Sequence, residues 1–499
     1  MTHAQPSAAA MTTSAGSIRD FADWLPPMLV KELRQGLRAN VFVWSFVALQ
    51  AAMILLLGLR LTARDGSDVL SDELDQYQWM AIGAALVVLL PLRGVTAISE
   101  ESRQQTLDLV QLTHMSSLRL VFGKWLALVS QTLLLVTALL PYQVLYYFVG
   151  GVDVVMNLQV LGWLVLASLL LTALCLAVSP ASMLVRMVVL GPIGFFCFGL
   201  YMEMSRHSYG SGPGGLIFGC FGCVYTLFVL VVAAARISRP VENAPAKIRV
   251  VALATLVTAL VGAWNSNLTS APAWFVFGLP VMIWAGLEAM TERASTLPSV
   301  YLPWVRLGWA GRCLGRLLYP GWGTGLIFVL LMTTALACGC SLMQQHQHLP
   351  VVVGSPPLAM FHLGMAILFP GVVLSLLLPH RQQRHWIYVF VQVVCVLWFL
   401  EGSVLDFKSS YGKGMFFGGN PTSAFLWTNS QPGLSLRVPI SNWQGIQLMS
   451  LTMDAAMLIL LFIRSRSEFR TIQEGERQAL LILKSAGNPS PVDAEAVPA

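Results

Sequence analysis

Charged side chains are scarce in this sequence. Asp, Glu, Lys and Arg make up 11% of its 499 residues, against 56% hydrophobic ones, and mean hydropathy is +0.69. A soluble domain carries about 25% charge, so that class is excluded. The phosphate-cradling Gly-x-x-x-x-Gly-Lys-Ser/Thr loop is also absent. Gly123-Lys124 and Gly412-Lys413 lack both the preceding glycine and the following hydroxyl residue. No His-Glu-x-x-His or Gly-x-Ser-x-Gly pattern occurs. The 8 cysteines do not form a framework: Cys175, Cys197, Cys220, Cys223, Cys338, Cys340 and Cys395 fall in apolar stretches, where a thiol behaves as a small apolar group. Cys220-x-x-Cys223 has metal-like spacing without a nearby His or second pair. His346 and His348 have no acids nearby. The first 18 residues, rich in Ala, Ser and Thr, lack the basic and apolar regions of a signal peptide.

Long apolar stretches are present instead, many of them 18–25 residues long, enough to cross a hydrocarbon core of about 30 Å. They predict an all-α, polytopic integral membrane protein with about twelve transmembrane helices. The expected spans are 41–59, 79–98, 118–147, 156–178, 183–201, 216–235, 250–264, 274–290, 324–342, 360–378, 386–399 and 446–463. With both termini cytoplasmic, 24 of the 30 basic residues fall inside; Arg60, Arg64, Arg206, Lys408, Lys413 and Arg437 fall outside. That bias obeys the positive-inside rule. The third span is long enough to project, and Pro141 should kink it. A basic segment, 291–323, carries Arg293, Arg306, Arg312 and Arg316 among Trp304, Leu307, Trp309 and Leu317, and reads as a membrane-surface helix. The Pro-containing segment 236–249 is the best internal boundary. The expected division is a disordered cytoplasmic tail (1–24), a six-span unit (25–236), a six-span C-terminal membrane region (237–463) and a cytoplasmic tail (464–499).

Two stretches flank or connect the first spans. In residues 25–40, Leu29, Leu33 and Leu37 recur every four positions, with Lys31, Arg34 and Arg38 on the other side and Glu32 among them. That is an interfacial amphipathic helix, with basic groups near anionic headgroups. In residues 98–125, Glu100 and Glu101 precede a polar run and a short helix whose apolar edge is Leu107, Leu109 and Val110. The ordered set Glu100, Glu101, Thr106, Leu107, Leu109, Leu112, Thr113, Ser116, Gly123 and Lys124 resembles the loop after the second span of ATP-binding cassette (ABC) type-2 permeases. His114 and Met115 stand where that family usually has Pro and Leu. The resemblance extends through Leu139-Leu140-Pro141-Tyr142 and Gly150-Gly151-Val152. It covers about residues 26–152 and, by topology, reaches about 236.

The resemblance implies the permease subunit of a bacterial inner-membrane ABC exporter. Its partners would be a separate ABC ATPase docked on residues 100–117 and the 25–40 helix, a second permease half, and membrane lipids. ATP and Mg would sit on the ATPase, with no cofactor on this chain and no nucleic-acid partner. Residues 237–463 would be an accessory extension. A second reading starts from Asp454, an acid near the middle of the last span, with Ser450 and Thr452 as neighbours. Intramembrane acids are costly and often functional, so Asp454 is either a helix-packing contact or a transport-pathway residue; Arg186 is a conceivable partner. On the pathway reading the protein is a secondary transporter with an ion or proton relay. Glu288, Arg93 and Arg186 lie near inner ends and are expected to snorkel. A third reading is a scaffold or membrane enzyme using the 405–445 loop.

Overall fold

The computed structural model describes residues 27–62, 68–103, 116–150, 154–180, 213–239, 241–265, 271–346, 356–377, 387–388, 390–395 and 443–487. These are helical throughout, apart from short turns and connections, as a chain in lipid requires: each helix satisfies its own backbone groups.

Helix α1 (Pro27–Arg38) opens with proline at a position where no intrahelical N–H is needed. Only Ala39 separates it from α2 (Asn40–Thr62), which is apolar all round and buries only Phe42, Leu49, Met53 and Arg60. Trp44, Ile54 and Leu55 are exposed, as lipid-facing side chains would be. The second span is built from α3 (Asp68–Gly83), a π-helical stretch (Ala84–Leu89), α4 (Leu90–Leu92) and α5 (Gly94–Arg103). Leu90 N–H bonds back five residues to Ala85. Pro91 cannot donate to the preceding turn, and the wider π turn just before it absorbs the misfit.

Helix α6 (Ser117–Gly150) runs unbroken through Pro141 for 34 residues, about 50 Å at 1.5 Å per residue. It is longer than a bilayer core, as expected of the third span. Helices α7 (Val154–Val178), α8 (Pro213–Arg236), α9 (Ala244–Asn265) and α10 (Ala271–Thr291) then pack one against the next. Gln143 on α6 accepts hydrogen bonds from Gln78 (3.4 Å) and Asn157 (3.3 Å), all three buried, which ties the second, third and fourth spans together. Short helices α11 (Pro298–Arg306) and α12 (Gly308–Leu318) precede α13 (Trp322–His346), α14 (Pro356–Leu377) and α15 (Trp443–Gly487).

One apolar cluster runs from Phe42 on α2 to Leu461 on α15. Among the described residues, 7 helical segments are long and apolar enough to cross a membrane: Asn40–Thr62, Glu73–Glu100, Ser117–Val149, Val154–Val178, Gly219–Arg236, Ala244–Trp264 and Trp322–Leu342. They match seven of the twelve expected spans. The expected spans at 274–290 and 446–463 fall within α10 and α15, and that at 360–378 lies on α14 as far as Leu377; these helices are not among the seven. The span expected at 183–201, residues 386, 389 and 396–399 of that expected at 386–399, residues 405–442 of the 405–445 loop and both chain ends lie outside the described residues.

Two local features add to the expectations. The amphipathic segment expected beyond Arg464 is helical and continues the last span without a break, because α15 is a single helix of 45 residues. The 291–323 segment is two helices. They are broken at Gly308, whose φ of +73° is the left-handed conformation that favours glycine. Its inner face, Val300, Tyr301, Val305 and Tyr319, packs on Ile472 and Ala479 of α15 in a second, smaller cluster.

Candidate functional site

Helix α1 is seated on the third span. Its periodicity puts Leu29 inside and leaves Lys31, Arg34 and Arg38 exposed, as the sequence predicts. Glu32 faces inward and pairs at 3.1 Å with Lys124, whose side chain is 4% exposed. A buried ammonium is costly without such a partner. Arg93, expected near an inner end, has defined contacts. It turns back from the second span, donates to Gln131 on α6 and to the Gly36 carbonyl at 3.0 Å, and lies over the Phe42 ring. A cation at the last carbonyls of a helix satisfies groups that the helix leaves open. Glu32, Arg93, Lys124 and Gln131 thereby surround a cavity of about 530 Å³, which Glu100 also lines.

The predicted docking stretch is described only at its two ends. Glu100 is exposed on α5, and Glu101 lies in the same helix. Thr106, Leu107, Leu109, Leu112 and Thr113 lie outside the described residues. Ser116 is the N-cap of α6: its hydroxyl accepts from Arg119 N–H at 3.4 Å, and its carbonyl accepts from Leu120 at 3.2 Å. The next residue is held from a distance. Both the Ser117 N–H and its hydroxyl donate to Glu242, which also pairs with Lys247 at 3.6 Å. Burial raises the Glu242 carboxyl, but the two Ser117 bonds and Lys247 outweigh it and hold it below the ordinary range. On the other flank, Ser179 Oγ accepts from Ile98 N–H (3.1 Å) and Ser99 N–H (3.2 Å), fixing the end of the second span to that of the fourth.

Asp454 has a partner that sequence reasoning missed. His362 Nδ1 on α14 lies 3.0 Å from Asp454 Oδ2 on α15, and both side chains are almost fully buried. Ser450 Oγ is 3.5 Å from His362 Nε2. Ser450, the expected neighbour of Asp454, belongs to this cluster; Arg186 lies outside the described residues. The available signal was a histidine within an otherwise apolar stretch, Met360–Leu374.

Arg249 was likewise missed as a centre. It is fully buried and donates to the carbonyls of Leu317 (2.8 Å), Tyr319 (2.9 Å) and Gly321 (3.3 Å). It also donates to Thr324 Oγ1 (3.0 Å) and Glu292 Oε2 (2.6 Å). A planar guanidinium can satisfy so many acceptors at once; an ammonium cannot. Burial pushes the Glu292 carboxyl up to about 7, with Arg249 pulling the other way. Glu288 is paired with Arg236 and also accepts from Trp284 Nε1 at 3.3 Å. At the far end of the bundle Arg60 pairs with Asp75 and lies over Tyr146.

Among the described residues no group of three or more His, Cys, Asp or Glu side chains could hold a metal ion. Cys220 and Cys223 are exposed on α8. His346 ends α13, and His348 lies outside the described residues. No family model, no curated protein and no solved structure matches this chain.

Proposed function

We propose that this chain is the transmembrane permease subunit of an ABC-type exporter of the type-2 class. It moves its substrate with ATP hydrolysed, with Mg, on a separate ATPase subunit. The observation that carries this reading is the seating of α1 on α6 through Glu32–Lys124 and Arg93–Gly36. An ATPase pressing on α1 and on the two described ends of residues 100–117 would act on parts fixed to the second and third spans, so a push there moves helices. Ser117–Glu242 and Ser179 with the amides of Ile98 and Ser99 brace both sides of the loop. Alternating access needs contacts that differ between the two states, and the exposed groups beside these polar seats, Glu100 and the basic face of α1, are where the ATPase would supply them. In this reading the chain lies in the bacterial inner membrane with both termini cytoplasmic and pairs with a second permease half. The region beyond residue 236 is accessory. The test is affinity purification in mild detergent. A stoichiometric nucleotide-binding subunit should copurify and be lost on Glu100→Lys with Glu101→Lys; a chain that purifies alone overturns the reading.

The His362–Asp454 pair favours a second reading, a secondary transporter with a proton relay. A carboxylate and an imidazole at hydrogen-bond distance inside a membrane can exchange a proton as their surroundings change. This reading requires transport in proteoliposomes that follows a pH gradient without any ATPase and stops on His362→Ala.

A further inference from the structure

We propose that the groove between α1 and the second and third spans binds one zwitterionic phospholipid, with the headgroup among Glu32, Arg93, Glu100 and Lys124. This goes beyond the transport readings, since it involves no ATPase and no substrate.

The cavity of about 530 Å³ is large enough for a phosphodiester headgroup and the adjoining glycerol. Its lining changes character from one end to the other. The floor is polar and buried: Lys124 is 4% exposed and Gln131 1%. The mouth is apolar and open, with Val41 58%, Leu89 44% and Leu92 49% exposed, on helices that face lipid. Buried polar groups beside an open apolar rim, with the exposed Glu100 also on the lining, match a lipid entering sideways. The exposed Lys31, Arg34 and Arg38 of α1 place the groove at headgroup depth.

The sign of the lining selects the headgroup. The two carboxylates, Glu32 and Glu100, balance the two cations, Arg93 and Lys124. An anionic headgroup would meet as much repulsion as attraction. A zwitterion satisfies both signs, with phosphate toward Arg93 and ammonium toward Glu100. Arg93 has donors to spare, because a guanidinium carries five and Gln131 and the Gly36 carbonyl engage two of its nitrogens.

The experiment is native mass spectrometry of the purified, delipidated full chain with added dioleoyl phosphatidylethanolamine or dioleoyl phosphatidylglycerol. One phosphatidylethanolamine should be retained, and phosphatidylglycerol roughly tenfold less, the scale of one charge-assisted contact. Glu100→Gln should lower phosphatidylethanolamine retention by a similar factor. Thr96→Trp, which fills the groove from an exposed position, should abolish it with helicity unchanged. Equal retention of the two lipids, or unchanged retention in Glu100→Gln, overturns the proposal whether or not Thr96→Trp folds. Displacement of the lipid by an equal concentration of glycerophosphoethanolamine would also overturn it, by showing a site for the free headgroup and not for a lipid.

Discussion

At the scale of single residues, the buried Lys124, Arg249 and Asp454 each have a partner, and that partner decides what removing one does. Glu32→Gln leaves the Lys124 ammonium buried without its carboxylate. Glu32 is itself partly exposed, so the expected loss is about 2 kcal/mol, short of the value for a fully buried pair. Thermal unfolding in detergent should register it, and Glu32→Leu with Lys124→Met should recover most of the loss, because both charges then leave together. The His362–Asp454 pair makes a parallel prediction in lipid. Asp454→Asn and His362→Gln should each destabilise, and the double variant should cost less than their sum by about 1 kcal/mol, the coupling expected of groups in direct contact. Strict additivity in a double-mutant cycle would mean that the two side chains do not interact.

At the scale of elements, helix ends and close approaches carry the consequences. The Glu242 carboxyl is held low by Ser117 and Lys247. A depressed carboxyl contributes stability above its unfolded value of about 4.3. That contribution is lost as pH falls through the lower folded value. Unfolding temperatures of the wild type and Glu242→Gln should therefore differ at pH 7 and draw together as pH falls below about 4.3; a gap that does not narrow there would contradict this assignment. The approach of α13 to α10 depends on Gly325, where an added Cβ would meet the Ala289 carbonyl oxygen at 2.2 Å. That neighbour is backbone and cannot swing aside, so Gly325→Ala should cost about 1–3 kcal/mol by overpacking, read as a lower unfolding temperature. Much at this scale was legible beforehand. The four-residue spacing of Leu29, Leu33 and Leu37 correctly predicted α1 and its exposed basic face. The π turn before Pro91 was not legible, because proline announces only that the regular ladder fails and not how the backbone absorbs the failure.

At the scale of the whole molecule, α15 joins two environments. Its first half packs in the apolar cluster through Met457 and Leu461, and its second half closes the smaller cluster under α11 and α12. Glu468 accepts from Ala294 N–H at 3.1 Å, and Tyr301 packs on Gly475. Truncation after Ser467 should therefore expose Val300, Tyr301, Val305 and Tyr319. Limited trypsin digestion should then cut at Arg306, Arg312 and Arg316 faster than in the full chain, while the spans before residue 291 stay protected. Unchanged cleavage would show that α11 and α12 hold without α15.

The sequence by itself determined the class: scarce charge and long apolar stretches leave only a helical, multi-pass membrane chain. It also determined the amphipathic entry helix and the long third span, because apolar content and a 3.6-residue period are local properties. Only the tertiary structure decided which charges meet. Lys124 finds Glu32 across 92 positions, His362 finds Asp454 across 92, and Arg249 finds Glu292 across 43. A helix that is apolar on every side carries no period to say which face turns inward or which neighbour it meets. Within a bilayer, that choice is made by close packing and by the few polar groups that must find one another.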